Sequence, residues 1–383
     1  MNPAAASGPP PNVRLRSLDA FRGATIALMI LVNNAGDWSK TYAPLLHAEW
    51  HGWTPTDLVF PFFLFILGVA IPFALGGRRT GDPSDLRRLH RKILRRSAIL
   101  FTLGLLLNWF PFFSVVWARA RIPGVLQRIA VVYLVAALAY LHLRSRGRVA
   151  LALGLLAGYW AAMKLVPVPG FGAGDLSPAG NLAFWLDHRI LGAHTWRYAP
   201  GPGDPEGILS TLPAIASGLA GVFVGDLLRS VRTPRRKLRL LFAWGAVGVA
   251  AGLLLQPFFP INKNLWSPTY VVFTSGAALL ALGAAYALID LARIVRWARP
   301  FEMFGTNAIA AYVGSGLLVK LLLAFRWTED AGGRVTAQGW LYSHLYAAHL
   351  PDYVASLAWA LSHVAIWWLV VAVLDRRGLH LKV

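Results

Sequence analysis

The 383-residue chain contains no cysteine. Disulfides, thiolate metal sites and a cysteine nucleophile are excluded with it. Charge is scarce: Asp, Glu, Lys and Arg make up 14% of the residues, against about 25% in soluble chains. Acidic residues are the scarcer sign, 17 against 37 Lys and Arg. No Walker loop, no HExxH zinc spacing and no GxSxG elbow occurs. No internal repeat marks a transporter built from two halves. What is abundant is apolar, with 56% hydrophobic residues and a mean hydropathy of +0.53. That composition excludes a soluble enzyme, a disordered chain and a nucleic-acid-binding domain, in spite of a net charge of +20. It predicts a polytopic membrane protein.

A bilayer core takes roughly 20 apolar residues per helix. Segments 20–36, 55–76, 97–116, 123–143, 149–167, 208–228, 238–259, 268–290, 301–324 and 353–374 meet that length. Unpaired backbone has no water partner in lipid, so these segments must be helical. The expected fold is all-α, a membrane bundle of about ten transmembrane helices. Placing both termini in the cytoplasm puts 25 of the 37 Lys and Arg inside and eight outside, a strong positive-inside bias. The inner basic clusters also suit anionic membrane lipids. Residues 1–16 then form a disordered cytoplasmic tail, 17–375 the transmembrane domain and 376–383 a second cytoplasmic tail. Outer loops are expected at 37–54, 168–207 and 325–352, long enough to carry function.

Polar residues at apolar depth are the informative ones. Asp19 and Arg22 stand i, i+3 at the start of the first helix and can pair there, with Ser17 as a possible N-cap. Asn33 and Asn34 lie near its outer end. They either bond a neighbouring helix or polarise a carbonyl. His47-Ala48-Glu49-Trp50-His51-Gly52-Trp53-Thr54-Pro55-Thr56-Asp57 precedes a very apolar helix. Its Trp residues fit an interface belt, its His residues proton transfer near neutral pH, and Asp57 a helix N-terminus. Arg128 sits about one turn inside the fourth segment and needs a carboxylate, a carbonyl or a phosphate. Asp19 and Glu206 are candidate partners. Asn262, Lys263 and Asn264 either cap helix ends or bind a sugar. His142, His344, His349 and His363 stand isolated and read as interface or packing residues.

Taken in order, Arg16-Ser17-Leu18-Asp19-Ala20-Phe21-Arg22-Gly23, Leu31-Val32-Asn33-Asn34, His47-Ala48-Glu49-Trp50-His51-Gly52, Asp57-Leu58-Val59-Phe60-Pro61, Arg121-Ile122-Pro123-Gly124-Val125-Leu126-Gln127-Arg128, Asp204-Pro205-Glu206-Gly207 and Asn262-Lys263-Asn264-Leu265-Trp266-Ser267 resemble one family. It is the heparan-α-glucosaminide N-acetyltransferase family with its bacterial transmembrane glucosamine acetyltransferase relatives. The resemblance implies a transmembrane acyltransferase domain that takes acetyl from cytoplasmic acetyl-CoA and gives it to a glucosamine-type amine across the membrane. The family's active-site His falls on His47 and its active-site Asn on Asn33. The chain has none of the lysosomal enzyme's cysteines, and that enzyme's additional luminal domain is not expected here. A multi-pass protein of a bacterial inner (cytoplasmic) membrane is therefore expected, with acceptors other than heparan open.

On that reading Arg22, Arg95, Arg96, Arg128 and Arg299 are the candidates for holding CoA phosphates. Asn33 would donate to the thioester oxygen, an interaction of about 3 kcal/mol. His47 would deprotonate the amine or accept the acetyl group first, oriented by Asp57 or Glu49, with His51 as its stand-in. Glu49, His51, Glu206, Asn262, Lys263, Asn264 and Trp266 are the candidate contacts to the amino-sugar acceptor. No metal and no nucleic acid is expected, and relatives imply a homodimer. Two other classes stay open: an O-acyltransferase of cell-envelope polysaccharide, and a non-enzymatic sugar or lipid transporter.

Overall fold

The computed structural model describes residues 15–76, 83–196, 199–328 and 333–380, so the expected N-terminal tail lies outside them apart from Leu15 and Arg16. Every apolar segment folds as helix. In chain order the elements are α1 (Arg16–Val32), α2 (Val59–Leu75), α3 (Pro83–Trp109), α4 (Val125–His142), α5 (Ser145–Leu165), β1 (Pro167–Val168), β2 (Gly172–Ala173) and α6 (Leu182–Leu191). Then follow α7 (Thr211–Arg229), α8 (Pro234–Leu255), α9 (Pro268–Ala285), α10 (Arg299–Thr306), α11 (Ala308–Ala324), β3 (Arg326–Thr328), β4 (Arg334–Thr336), α12 (Ala337–Tyr342) and α13 (Asp352–Arg376). Among the described residues seven helices are long and apolar enough to cross a membrane. The α10–α11 pair, bent by 74° at Asn307, makes eight. The remaining two expected spans fall on α1, which has 17 residues, and on α3, whose first half is basic.

Hydrophobicity all round a helix marks a buried one, and α2 is that helix: Leu64, Ile66 and Val69 are fully buried. It packs against α7 through glycines. A side chain on Gly221 would strike the Phe65 carbonyl, and one on Gly68 the Gly218 carbonyl, so small residues set how closely the two backbones approach. Gly276 of α9 meets Gly245 and Gly248 of α8 in the same way. The periphery is the reverse. Helices α5 and α8 leave Leu153, Leu165, Trp244 and Leu254 exposed, an apolar surface that a lipid phase accepts and water does not.

Two local expectations change, those for Ser17 and His142. Ser17 does not cap α1, because the helix already begins at Arg16. A carboxylate from another helix takes the terminal N–H groups. The wide turn Tyr286–Leu291 that ends α9 delivers Asp290, which accepts from the Arg16 and Ser17 N–H at 3.2 and 3.3 Å. His142 is not isolated: its Nε2 lies 2.7 Å from that of His90 on α3. The long loops also carry structure. Residues 168–207 include β2 and α6, the latter capped by Asn181 accepting from the Phe184 N–H at 2.8 Å. Residues 325–352 hold the β3–β4 hairpin and α12.

Candidate active site

The turn that enters α2 organises the site. Thr54 and Asp57 form a reciprocal capping box on Pro55–Leu58, a standard way to start a helix. Asp57 does more than cap. Its Oδ2 accepts from the N–H of Thr54 and of Ala48, both at 3.0 Å, and from the Thr54 hydroxyl at 3.2 Å. The Ala48 bond folds the preceding loop back over the helix end. His47 is thereby brought to the other oxygen, with Nδ1 2.7 Å from Asp57 Oδ1. A carboxylate can only accept, so Nδ1 carries the hydrogen and Nε2 keeps a lone pair. The Asp57 side chain is 1% exposed and the His47 ring 43%, a buried anchor beneath an accessible base.

Lys263 arrives from the α8–α9 loop. Its Nζ stands 2.9 and 3.1 Å from the two ring nitrogens of His47 and 3.6 Å from Asp57 Oδ1. Asn262 fixes that loop: its Oδ1 accepts from the Leu265 N–H at 2.9 Å, and its amide donates to the Trp50 carbonyl at 2.8 Å. Trp266 sits at φ +51°, an uncommon conformation for a bulky residue. Its ring is buried and donates to Ser217 Oγ at 3.1 Å. Burial pushes the pKa of Lys263 below the ordinary lysine value, against the opposing pull of Asp57 and Glu206. Burial likewise lowers that of His51.

These groups open onto a cavity of about 460 Å³ whose lining includes Asn33, Glu49, Trp196, Glu206 and Asn264. Arg121 closes its far wall. It grips Asp204 with Nε at 2.8 Å and Nη2 at 2.7 Å, and Nη2 also reaches Glu206. Burial works against that guanidinium's charge, but Glu206 and Asp204 more than offset it and raise its pKa. Of the two neighbouring amides only Asn33 faces the cavity, since Asn34 is buried and donates to the Ile30 carbonyl of its own helix.

A second cavity, of about 640 Å³, lies at the other end of the bundle. Arg22, Lys92 and Arg96 line it, with Leu15 and His380 from the two ends of the described chain. Its walls are apolar, Ile26, Leu67 and Ile129 among them. Met29 and Val125 line both cavities. From Arg22 to Asn33 the helix α1 rises about 16 Å at ~1.5 Å per residue. Arg96 lies over the Tyr133 ring at 4.6 Å, and its Nε is buried with no hydrogen-bond partner among the described residues.

The family model for the catalytic region of heparan-α-glucosaminide N-acetyltransferase matches residues 14–244. This chain belongs to the heparan-α-glucosaminide N-acetyltransferase family. Heparan-α-glucosaminide N-acetyltransferase of Homo sapiens is 33% identical over 367 residues, covering 82% of this chain and 54% of the human protein. The Mus musculus protein is 30% identical over 366 residues, covering 82% and 55%. The chain thus spans about half the length of these relatives.

In this heparan-α-glucosaminide N-acetyltransferase family member, the fold gathers Asn33, His47, Glu49, Asp57, Glu206, Lys263 and Asn264 at one cavity, and Arg22 and Arg96 at the other. Other candidates are placed elsewhere. Asn262 and Trp266 are fully buried in holding the loop, and His51 sits against the Asn262 amide at 3.2 Å; none of the three lines the His47 cavity. Arg128 lines neither cavity. It lies over the Trp266 ring and donates to Ser210 Oγ and, at 3.3 Å, to the Gly207 carbonyl. Neither expected carboxylate bonds it, because Asp19 pairs with Arg22 at 3.2 Å and Glu206 with Arg121. Arg95 points to a separate open surface with Arg87 and Arg91, and Arg299 at the start of α10 lines neither cavity. Arg121, Lys92 and Trp196 are site residues not singled out from sequence. Two had a signal: Arg121 opens the same motif as Arg128, and Lys92 lies one helical turn before Arg96.

Proposed function

We propose that this protein is a multi-pass membrane acetyltransferase of a bacterial inner membrane, moving acetyl from cytoplasmic acetyl-CoA to the amine of a glucosamine-type sugar on the opposite side. The observation that carries the reading is the pair of cavities with Met29 and Val125 in the lining of both, one holding Arg22, Lys92 and Arg96 and the other the Asp57–His47 pair. The residues present suit a CoA donor. Arg22, Lys92 and Arg96 offer cationic groups for its phosphates, Arg96 with an unsatisfied buried N–H, and the apolar walls of that cavity suit a narrow pantetheine arm. The donor supplies an acetyl group activated as a thioester.

The protein's part is positioning and proton transfer. Asp57 fixes the His47 tautomer, so Nε2 serves as the base for the amine or as the nucleophile that carries acetyl in between. The Asn33 amide donates to the acetyl oxygen as charge develops there. Glu206 and Glu49 attract an acceptor that arrives as an ammonium, and Arg121 holds the Glu206 carboxylate in place.

The test is transfer by the protein reconstituted in liposomes, with labelled acetyl-CoA and a panel of glucosamine and O-linked sugars. Acetylated glucosamine is expected, together with abolition by His47→Ala at undiminished donor binding. An active His47→Ala protein, or donor binding to neither form, refutes the reading. Donor alone separates the two routes: label retained on His47 with free CoA released marks the covalent one.

A further inference from the structure

An acceptor amine reaches such a site as an ammonium, and forming the amide strips two protons from its nitrogen. His47 accounts for one. Resting on the acetyltransferase reading above, we infer that Lys263 takes the other: its Nζ is the base that converts the sugar's ammonium into the attacking amine, while His47 handles the second proton. Geometry carries this. Lys263 lines the His47 cavity, its side chain is 20% exposed, and its Nζ is within reach of both nitrogens of one imidazole. An ammonium there donates to Nε2 and masks the lone pair that the reaction needs. Productive chemistry therefore requires Lys263 in its amine form, which can accept a proton from the incoming nitrogen.

Burial favours that form, lowering the pKa of Lys263, a common route to lysine bases. The charged and titratable groups facing it are His47 and Asp57 from the segment before α2, Glu206 from the loop after α6 and Arg128 from α4, with Glu49 and Arg121 on the cavity wall. In direct transfer the sugar ammonium gives a proton to Lys263 Nζ, and the freed lone pair forms the C–N bond. The C–S bond breaks as His47 removes the second proton from nitrogen and returns it to the departing CoA sulfur. The Lys263 ammonium loses its proton to water through the cavity before His47 acts, which returns to Nε2 the lone pair that takes the second proton.

The experiment compares kcat/KM for glucosamine against pH in the full chain and in its Lys263→Met and Lys263→Arg variants, in lipid. Stabilisation of each variant by acetyl-CoA in a thermal melt shows that it is folded. Both substitutions are expected to lower kcat/KM about 10²- to 10⁴-fold, the usual range for a lost acid–base group. The acid limb should be shallower by one proton in Lys263→Met. Arg supplies a cation but no base, so its failure separates proton transfer from mere charge. Activity of Lys263→Arg within tenfold of the unsubstituted protein, or an unchanged slope in Lys263→Met, overturns the assignment while leaving the acetyltransferase reading intact. Absence of transfer by the unsubstituted protein overturns both.

Discussion

Replacing Asp57 by Asn changes one atom and reverses the hydrogen-bond logic of the site. The carboxylate accepts from two backbone N–H groups and one hydroxyl on Oδ2 and from His47 on Oδ1. Three donors on one oxygen fix the orientation of the substituted amide, with its carbonyl oxygen in the place of Oδ2. The new NH₂ then faces His47 Nδ1, which must turn from donor to acceptor. The ring hydrogen moves to Nε2, and the base is lost. In the serine-protease triad, where a buried Asp holds a catalytic His in the same way, the Asp→Asn change drops kcat by about 10⁴, equivalent to roughly 5 kcal/mol at ~1.36 kcal/mol per tenfold. The fold should survive, because the capping bonds on Oδ2 persist. The assay is single-turnover acetyl transfer from labelled acetyl-CoA, alongside a thermal melt. A loss of about three to four orders of magnitude, with little change in Tm, is expected. Activity within tenfold of the unsubstituted protein would show that Asp57 is only a helix cap.

Arg96→Gln should weaken acetyl-CoA binding about 10- to 100-fold, the worth of one charged hydrogen bond of roughly 1.5–3 kcal/mol; Arg95→Gln should not, and equal effects in a donor-binding titration would refute the cavity assignment. Arg121→Met strips the fully buried Asp204 of its cation, so about 3–5 kcal/mol of stability should go, read as a fall in Tm, whereas an unshifted melt would mean that the pair is not formed. Asp187 accepts from the Asp204 and Ile208 N–H groups, and burial raises its pKa from 3.8 to about 6. The folded state therefore holds that proton more tightly than the unfolded one, and the contribution is full below about pH 4 and lost as pH rises through about 6. Asp187→Asn should therefore gain Tm relative to the unsubstituted protein as pH rises from 4.5 to 7.5; the opposite trend would contradict the assignment.

Legibility varied with the range of the interaction. The helices followed from runs of apolar residues, a local property that lipid enforces. Asp57 was legible as a carboxylate at a helix N-terminus, whereas its reciprocal pairing with Thr54 emerged only in the folded chain. Arginine placement was harder. Arg95 and Arg96 are neighbours in sequence, yet about 100° of helical turn sends one to an open surface and the other to a cavity. Arg121 and Arg128 share a motif, and only the approach of Asp204 and Glu206 assigns those carboxylates to Arg121. Asn262 and Trp266 look like sugar ligands in a polar outer stretch, but both are consumed in building the loop that presents Lys263.

The amino-acid order alone determined that the chain is a helical membrane bundle with an Asn–His–Asp set near one surface, because hydrophobic length, charge asymmetry and motif spacing are carried along a single strand of text. Tertiary packing decided that Lys263, more than 200 residues away in sequence, touches His47, and that Met29 and Val125 line both cavities. Those facts depend on how helices from distant parts of the chain cross, which glycine contacts and buried side-chain volumes set and no local pattern records.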